Sequence, residues 1–166
     1  MSKTLLIILA AACLVSCKTT TYFIVRHAER DNSTMSSDVP LSDAGKQRAE
    51  ALRDELKNKK IGTIYSTNYI RTKSTAQPLA DAIGLTVQVY DPKDSTFVSR
   101  MINTGNKDKE GNMLIIGHSN TVDDIVNQLL GQKMIPGDLP DSQYGDLFVV
   151  KQRGRKFTYE KKRYGP

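Results

Sequence analysis

Short apolar segments alternate with longer amphipathic ones along this chain, and that alternation constrains its fold more than any other feature. The apolar segments are rich in β-branched and aromatic residues, and they predict strands over 22–25, 61–67, 85–91 and 112–118. Apolar residues at helical spacing between them predict helices over 43–57, 70–83, 95–103 and 122–130. Strands that alternate with helices indicate a mostly parallel sheet covered by helices on both faces.

The carboxyl-terminal part of the chain departs from that alternation. Two strands are predicted over 145–152 and 156–162, and the residues Arg153, Gly154 and Arg155 join them as a hairpin turn. A hairpin adds antiparallel strands to the edge of the sheet. The predicted fold is therefore a three-layer α/β/α sandwich with a mostly parallel central sheet and a C-terminal antiparallel hairpin.

The amino-terminal segment resembles a bacterial lipoprotein signal peptide. Lys3 is followed by an apolar run over 5–15, and the letters LVSC place small residues directly before Cys17. This pattern predicts a signal peptide over 1–16, a lipidated Cys17, a short tether over 17–20 and a domain over 21–166. An ordinary signal peptide or an apolar helix with a chance cysteine is the alternative. The expected location is the bacterial cell envelope, with a lipid anchor in a membrane.

Cysteine content and charge exclude several classes of function. The only two cysteines are Cys13 and Cys17, so the predicted domain lacks a disulfide, a catalytic thiol and a thiolate metal site. The formal net charge of +6 favours anionic partners. No basic helix interleaved with aromatic residues occurs, and we therefore expect no nucleic-acid partner.

Basic and imidazole side chains follow three of the predicted strands. Arg26 and His27 end the first, Arg71 lies in the helix after the second, and His118 ends the fourth. Ligands of open α/β sheets bind at the carboxyl ends of strands, so these side chains should meet there, with Ser66, Ser119 and Asn120 nearby.

Two arginines beside two histidines indicate an anion rather than a metal ion. Fixed positive charge repels a cation, and no Asp or Cys is spaced to complete a zinc set. Guanidinium groups bind phosphoryl oxygens in a bidentate manner. The sequence therefore predicts a phosphoryl-binding site with neither a metal nor an organic cofactor.

Four segments resemble the histidine phosphatase superfamily, which has the phosphoglycerate-mutase-like fold. The segment VRHAE is similar to its Arg-His-Gly motif, and LSDAGKQRAEAL to its Leu-Thr-x-x-Gly-x-x-Gln-Ala segment. YSTNYIRTKSTAQPLA resembles its Ser-x-x-x-Arg-x-x-x-Thr-Ala segment, and IIGHSNTV its Gly-His-Ser/Gly segment. All four occur in the family's order. Ala28 departs from the pattern, because glycine is commonest at that position.

The resemblance implies a phosphoric monoester hydrolase of the histidine acid phosphatase type. His27 would be the nucleophile that forms a phosphohistidine, and water would then hydrolyse this intermediate. Arg26, Arg71 and His118 would surround the transferring group, and Ser119 and Asn120 would help to bind the substrate. The expected partner is a phosphorylated small molecule or a phosphoprotein.

The general acid and the type of transfer stay open at this point. Glu29 is one candidate for the acid, although it could instead pair with Arg30 or with an arginine of the pocket, and Asp91 and Asp94 are others. Relatives with good leaving groups can work without a strong acid. The chain has no insertion that could form a lid, which favours a phosphatase over a mutase-type phosphotransferase. A catalytically silent lipoprotein that binds phosphate ligands or a partner is a further alternative.

Overall fold

The computed structural model describes residues 19–33, 36–105 and 111–166. The predicted signal peptide over 1–16 and the predicted lipidation site at Cys17 lie outside these residues. Within the described ranges, no helix is both long and apolar enough to span a bilayer.

The described residues form an alternating α/β domain, as the sequence predicts. In chain order the elements are β1 (Thr19–Arg26), α1 (Asp43–Leu56), β2 (Ile61–Ser66), α2 (Ile70–Ile83), β3 (Val87–Val89), α3 (Phe97–Gly105), β4 (Asn112–Gly117), α4 (Val122–Leu130), β5 (Asp146–Arg153) and β6 (Lys156–Arg163). The six strands form one sheet in the order β3-β2-β4-β1-β5-β6. The first four of these are parallel, while β5 and β6 are antiparallel to their neighbours. The predicted sandwich with a C-terminal hairpin is confirmed.

Side chains of the central strands point alternately into two hydrophobic layers. Tyr22 and Ile24 of β1 belong to the layer under α3 and α4, whereas Phe23 and Val25 belong to the layer under α1 and α2. Both layers consist of residues between Tyr22 and Tyr164. A chain that begins at Lys18 therefore contains every described residue of both layers.

The ends of the helices have the residues that helix termini favour. The side chain of Ser42 caps α1 by accepting a hydrogen bond from the amide of Gly45, and Asp43 occupies the first turn. At the carboxyl end of α2, Gly84 adopts a left-handed conformation with φ 69°, which glycine reaches without strain.

Two strands differ clearly from the sequence prediction, and one helix contains a proline. β1 begins at Thr19, so Thr19 and Thr20 of the predicted tether pair with β5. β3 is only three residues long because only these residues pair with β2 at the edge of the sheet. Pro78 lies inside α2, which continues through it although proline removes one hydrogen bond of the helix.

Candidate active site

The carboxyl ends of β2, β4 and β1 lie side by side and bring the predicted site residues together. In the sheet register, Ser66 is opposite Ile116 and Arg26 is opposite Gly117. A cavity of about 460 Å³ opens above these strand ends. Its lining includes all of the predicted phosphoryl-binding side chains, which are Arg26, His27, Arg71, His118, Ser119 and Asn120.

His27 is buried in a single orientation that leaves one ring nitrogen free. Its Nδ1 lies 2.7 Å from the carbonyl oxygen of Ala28, and a carbonyl only accepts, so Nδ1 carries the proton. Its Nε2 makes no hydrogen bond to any described residue and therefore keeps a free lone pair, and the residue lines the cavity. Burial lowers the pKa of His27 to about 3, the hydrogen bond to Ala28 opposes this, and the charges of His118, Arg26 and Arg71 add to it. The imidazole is therefore neutral at physiological pH.

His118 faces His27 with a ring-centroid distance of 5.4 Å. Its Nδ1 accepts a long hydrogen bond of 3.5 Å from Nη2 of Arg71, so its Nε2 carries the proton and donates to Oγ1 of Thr67 at 2.8 Å. Thr67 donates in turn to Oγ1 of Thr72 at 3.0 Å. Burial, followed by the charge of Arg71 and then of Arg26, lowers the pKa of His118 to about 4. These hydrogen bonds fix the tautomer of His118, with the proton on Nε2 and the lone pair on Nδ1.

Arg26 joins the strand end to the loop before β5. Its Nη1 donates to the carbonyls of Pro140 at 2.9 Å and Asp141 at 3.1 Å, and its Nη2 pairs with the Asp141 carboxylate at 3.2 Å. The guanidinium also stacks 4.3 Å from the ring centroid of Tyr144. Its Nε is buried without a partner among the described residues. Arg26 therefore both lines the cavity and holds one of its walls.

Arg71 lies on the opposite wall, in the first turn of α2. Its Nη1 donates to the carbonyl of Ser37 at 2.9 Å, and its guanidinium stacks 4.5 Å from the ring centroid of Tyr69. Its Nε is also buried without a partner in the described part of the chain. The positive charges of the two arginines lie beside the histidines at the cavity, which fits the predicted binding of an anion.

Glu29 is bound in an ion pair and does not line the cavity. Both of its carboxylate oxygens lie 2.9 Å from Nε of Arg48, and Nη2 of Arg48 lies 2.7 Å from Oε1. Burial acts to raise the pKa of Glu29, but the hydrogen bonds and charge of Arg48 outweigh it and lower the pKa. Glu29 is therefore ionised at neutral pH. This geometry is that of a supporting ion pair, but the partner is Arg48 of α1 rather than Arg30 or an arginine of the pocket.

The loop after β3 presents a cation to the cavity instead of an acid. Asp94 accepts from Thr96 and pairs with Arg100 at 2.6 Å, and these hydrogen bonds lower its pKa, those of Thr96 first. Asp91 accepts from the amide of Lys93. Neither carboxylate lines the cavity, whereas Lys93 does. The carboxylates of Asp124 and Asp141 do reach the lining, at its outer rim.

Several site residues are absent from the sequence prediction. The Ser-x-x-x-Arg spacing leads from Arg71 back to Thr67, not to Ser66, whose side chain is buried and donates to the carbonyl of Thr67. Counting this spacing would have identified Thr67. Nothing in the sequence indicates that Tyr69 and Tyr144 stack on the two arginines.

Ser119 and Asn120 lie where the sequence places them, at the rim above β4. Their side chains make no hydrogen bond to other described residues, so both can bind a ligand. Within the described ranges, no group of three or more His, Cys, Asp or Glu side chains could hold a metal ion.

Comparison with known proteins gives a family match and a set of related folds. The sequence model of the histidine phosphatase superfamily (branch 1) matches residues 22–92. A search of curated proteins found no match. The domain is similar to the protein histidine phosphatase SixA complexed with tungstate, with a TM-score of 0.68 and 19% identity over 87% of this chain and 97% of that one.

Two further solved structures have the same fold. A mycobacterial glucosyl-3-phosphoglycerate phosphatase has a TM-score of 0.62 and 14% identity, covering 89% of this chain and 99% of its own. Phosphoglycerate mutase from Bacillus anthracis has a TM-score of 0.64 and 14% identity, covering 87% and 92% respectively. Residues 22–92 thus match the histidine phosphatase superfamily, and the domain that contains them has the phosphoglycerate-mutase-like fold.

Proposed function

We propose that this chain is a histidine phosphatase that transfers a phosphoryl group to His27 and then to water. The observation that carries the proposal is the state of His27. It is neutral, its Nδ1 is held by Ala28, its Nε2 keeps a free lone pair, and it lines a cavity that contains Arg26, Arg71 and His118. A nucleophile needs this free lone pair.

The surrounding groups suit each step of the reaction. Nε2 of His27 attacks phosphorus while the bond to the leaving group breaks, and Arg26 and Arg71 stabilise the charge on the phosphoryl oxygens. Water then attacks the phosphohistidine, the N–P bond breaks, and inorganic phosphate leaves. Asn120 and Asp141 at the cavity rim are exposed, so water reaches the intermediate, which favours hydrolysis over transfer to a second substrate.

The carboxylates that the sequence offers as a general acid support a proposal for the substrate class. Glu29 and Asp94 are ionised and paired, and the loop after β3 contributes Lys93 to the cavity. Neither of these carboxylates lines the cavity, so the acid candidates from the sequence are not in contact with a bound substrate, which favours leaving groups that depart without strong acid assistance. Phosphohistidine is such a substrate, because its ring, when protonated on the other nitrogen, leaves as a weakly basic neutral imidazole. The likeness to a protein histidine phosphatase is consistent with this proposal.

The activity proposal is tested with the domain from Lys18 to Pro166. We expect turnover of p-nitrophenyl phosphate and of phosphohistidine, and much slower turnover of an alkyl phosphate such as glycerol phosphate. The variant His27→Ala should be inactive, whereas Gln77→Ala on the exposed face of α2 should keep wild-type rates. Equal turnover by His27→Ala and the wild type would refute the assignment. No turnover of any substrate would favour a silent binding protein.

A set of aryl phosphates tests the absence of a strong acid. Without acid assistance, kcat/KM should fall steeply as the leaving-group pKa rises. A flat dependence would show that an acid acts in the site, and Asp124 and Asp141 at the rim would then be the first residues to replace.

We further propose that the protein is a lipoprotein of the bacterial cell envelope, anchored through Cys17. The support is the order of Lys3, the apolar run over 5–15 and the letters LVSC. Full-length protein should sediment with membranes, and Cys17→Ser should release it. Retention of the Cys17→Ser protein in membranes would contradict lipidation at this residue.

A further inference from the structure

A second concave surface lies on the other side of the domain from the catalytic cavity, and we call it the basic groove. It has a volume of about 300 Å³ and runs between the end of α1 and the β5–β6 hairpin. Its floor contains the buried side chains of Phe23, Leu147 and Val149. Four lysines form its rim, which are Lys59, Lys60, Lys151 and Lys162.

The lysines of the basic groove are only partly neutralised. Lys59 lies 3.9 Å from Glu55, and Lys162 lies 3.5 Å from Glu160. Lys60 and Lys151 are exposed and have no ion pair with any described residue. The groove therefore has an excess of positive charge for an anionic ligand. The same end of the domain has further exposed cations, namely Arg153, Arg155 and Lys156, whereas Lys57 pairs with Asp54 at 2.9 Å.

Lys60 has a backbone conformation that lysine rarely adopts. Its φ of 52° is the only positive value at a non-glycine residue in the described ranges. The amide of Asn112 donates to its carbonyl at 2.8 Å, and the Asn112 side chain donates to that of Lys59 at 2.6 Å. Glycine or asparagine would adopt this conformation with less strain, so a lysine here points to a role for its side chain.

One end of the basic groove lies where the chain enters the sheet, and the groove extends along β5 as far as Leu147, which is opposite Val25. Thr21 lines the groove, and β1 begins two residues earlier at Thr19. His27 lies six residues further along, or about 20 Å at about 3.3 Å per residue of strand. Thr21, Lys59, Lys60 and Lys151 of the groove therefore lie near Thr19, the first described residue, whereas the catalytic cavity opens at the opposite end of β1.

We propose that the basic groove is a docking surface for an anionic phospholipid membrane. Lysines close to such a surface bind it by electrostatic attraction, and the emergence of the chain at this end brings the groove to the bilayer. The groove offers no exposed aromatic side chain on which a nucleic-acid base could stack. The catalytic cavity then faces away from the lipid, toward substrates in solution. This orientation rests on the proposed anchor, but the affinity of the groove for anionic lipid does not.

The proposal is tested by co-sedimentation of the domain from Lys18 to Pro166 with two kinds of vesicle. We expect binding to vesicles that mix phosphatidylcholine with phosphatidylglycerol, and none to phosphatidylcholine alone. Binding should weaken from 0.1 M to 1 M salt, since the Debye length falls from about 10 Å to about 3 Å. Because the domain has no anchor, failure to bind anionic vesicles would overturn the proposal.

Two variants of equal charge locate the binding surface. Each lysine close to an anionic membrane strengthens binding about fivefold, so Lys60→Gln with Lys151→Gln should weaken it roughly thirtyfold. The control, Lys46→Gln with Lys73→Gln, removes two charges from the other end of the domain and should change binding by less than about threefold. Equal losses in the two variants, or no loss in the first, would refute the groove as the docking surface.

A labelling experiment on the wild-type domain tests the same surface without relying on a double variant that could misfold. Amine acylation of the wild-type domain, read by mass spectrometry, should label Lys60 and Lys151 less in the presence of anionic vesicles, and Lys46 equally with and without them. Equal labelling of Lys60 under both conditions would overturn the proposal. His27→Ala should bind vesicles as the wild type does, so failure of the proposed activity is distinguishable from failure of this one.

Discussion

Acidification should destabilise the folded domain through the two histidines of the cavity. Both have a lowered pKa in the folded state, to about 3 for His27 and about 4 for His118. In the unfolded chain each titrates near its ordinary pKa of about 6.5. Above this pH neither state binds the proton. As the pH falls below it, only the unfolded state takes up protons, so the free energy of unfolding decreases.

The loss of stability at a given pH follows from how far that pH lies below the pKa of the histidine in the unfolded chain. A pH of 5 lies about 1.5 units below the unfolded pKa, and each unit corresponds to about 1.36 kcal/mol. Because His27 takes up this proton only in the unfolded state, it lowers the free energy of unfolding by about 2 kcal/mol. His118 is partly exposed, so we expect about 1 to 2 kcal/mol from it. Because domains are stable by only about 5 to 15 kcal/mol, the combined loss is large.

Urea unfolding followed by far-ultraviolet circular dichroism measures this, since the chain has no tryptophan. Wild-type protein should lose about 3 to 4 kcal/mol between about pH 7.5 and about pH 5, and His27→Gln should lose about 2 kcal/mol less. His27→Gln with His118→Gln should be nearly independent of pH in this range. Parallel pH profiles for the wild type and the double variant would refute the neutral, desolvated state of these imidazoles, on which the nucleophile assignment depends.

Three substitutions test other parts of the site. Gly45→Ala should destabilise the domain although alanine favours helices, because its Cβ would collide with the carbonyl of Glu29, and thermal unfolding will show the sign. Thr67→Val should lower kcat about tenfold, because it removes the acceptor of His118 Nε2, whereas Thr67→Ser should stay near the wild-type rate. Equal rates for the two variants would contradict the role of Thr67 in fixing the tautomer of His118. Arg71→Gln should lower kcat/KM by roughly 10²–10³ with little change in stability, and a larger effect on stability than on rate would contradict its role in binding the phosphoryl group.

Much of the fold could be predicted because its signals are local. The helix predicted over 122–130 is observed as Val122–Leu130, since apolar spacing and the following Gly131 define both of its ends. The convergence of His27 and His118 also followed from the sequence, because parallel strands place their carboxyl ends at one edge. The length of β3 did not, because strand pairing at an edge depends on the neighbouring strand.

Contacts between distant segments account for the features that the sequence did not predict. Pairing of Glu29 with Arg48 decides between the two predicted roles of Glu29, and it depends on how α1 packs beside the end of β1. The bonds from Arg26 to the loop at Pro140 and Asp141 join residues more than a hundred positions apart. Local patterns contain no signal for such pairs.

The central claim is that His27 becomes phosphorylated during turnover, and trapping of this intermediate tests it most directly. The domain is mixed with phosphohistidine or p-nitrophenyl phosphate, quenched in alkali within one turnover, digested and analysed by mass spectrometry. We expect one phosphoryl group on the peptide that contains His27, labile to acid and absent from His27→Ala. Full turnover with no label on that peptide, or a label on any other side chain, would contradict the mechanism.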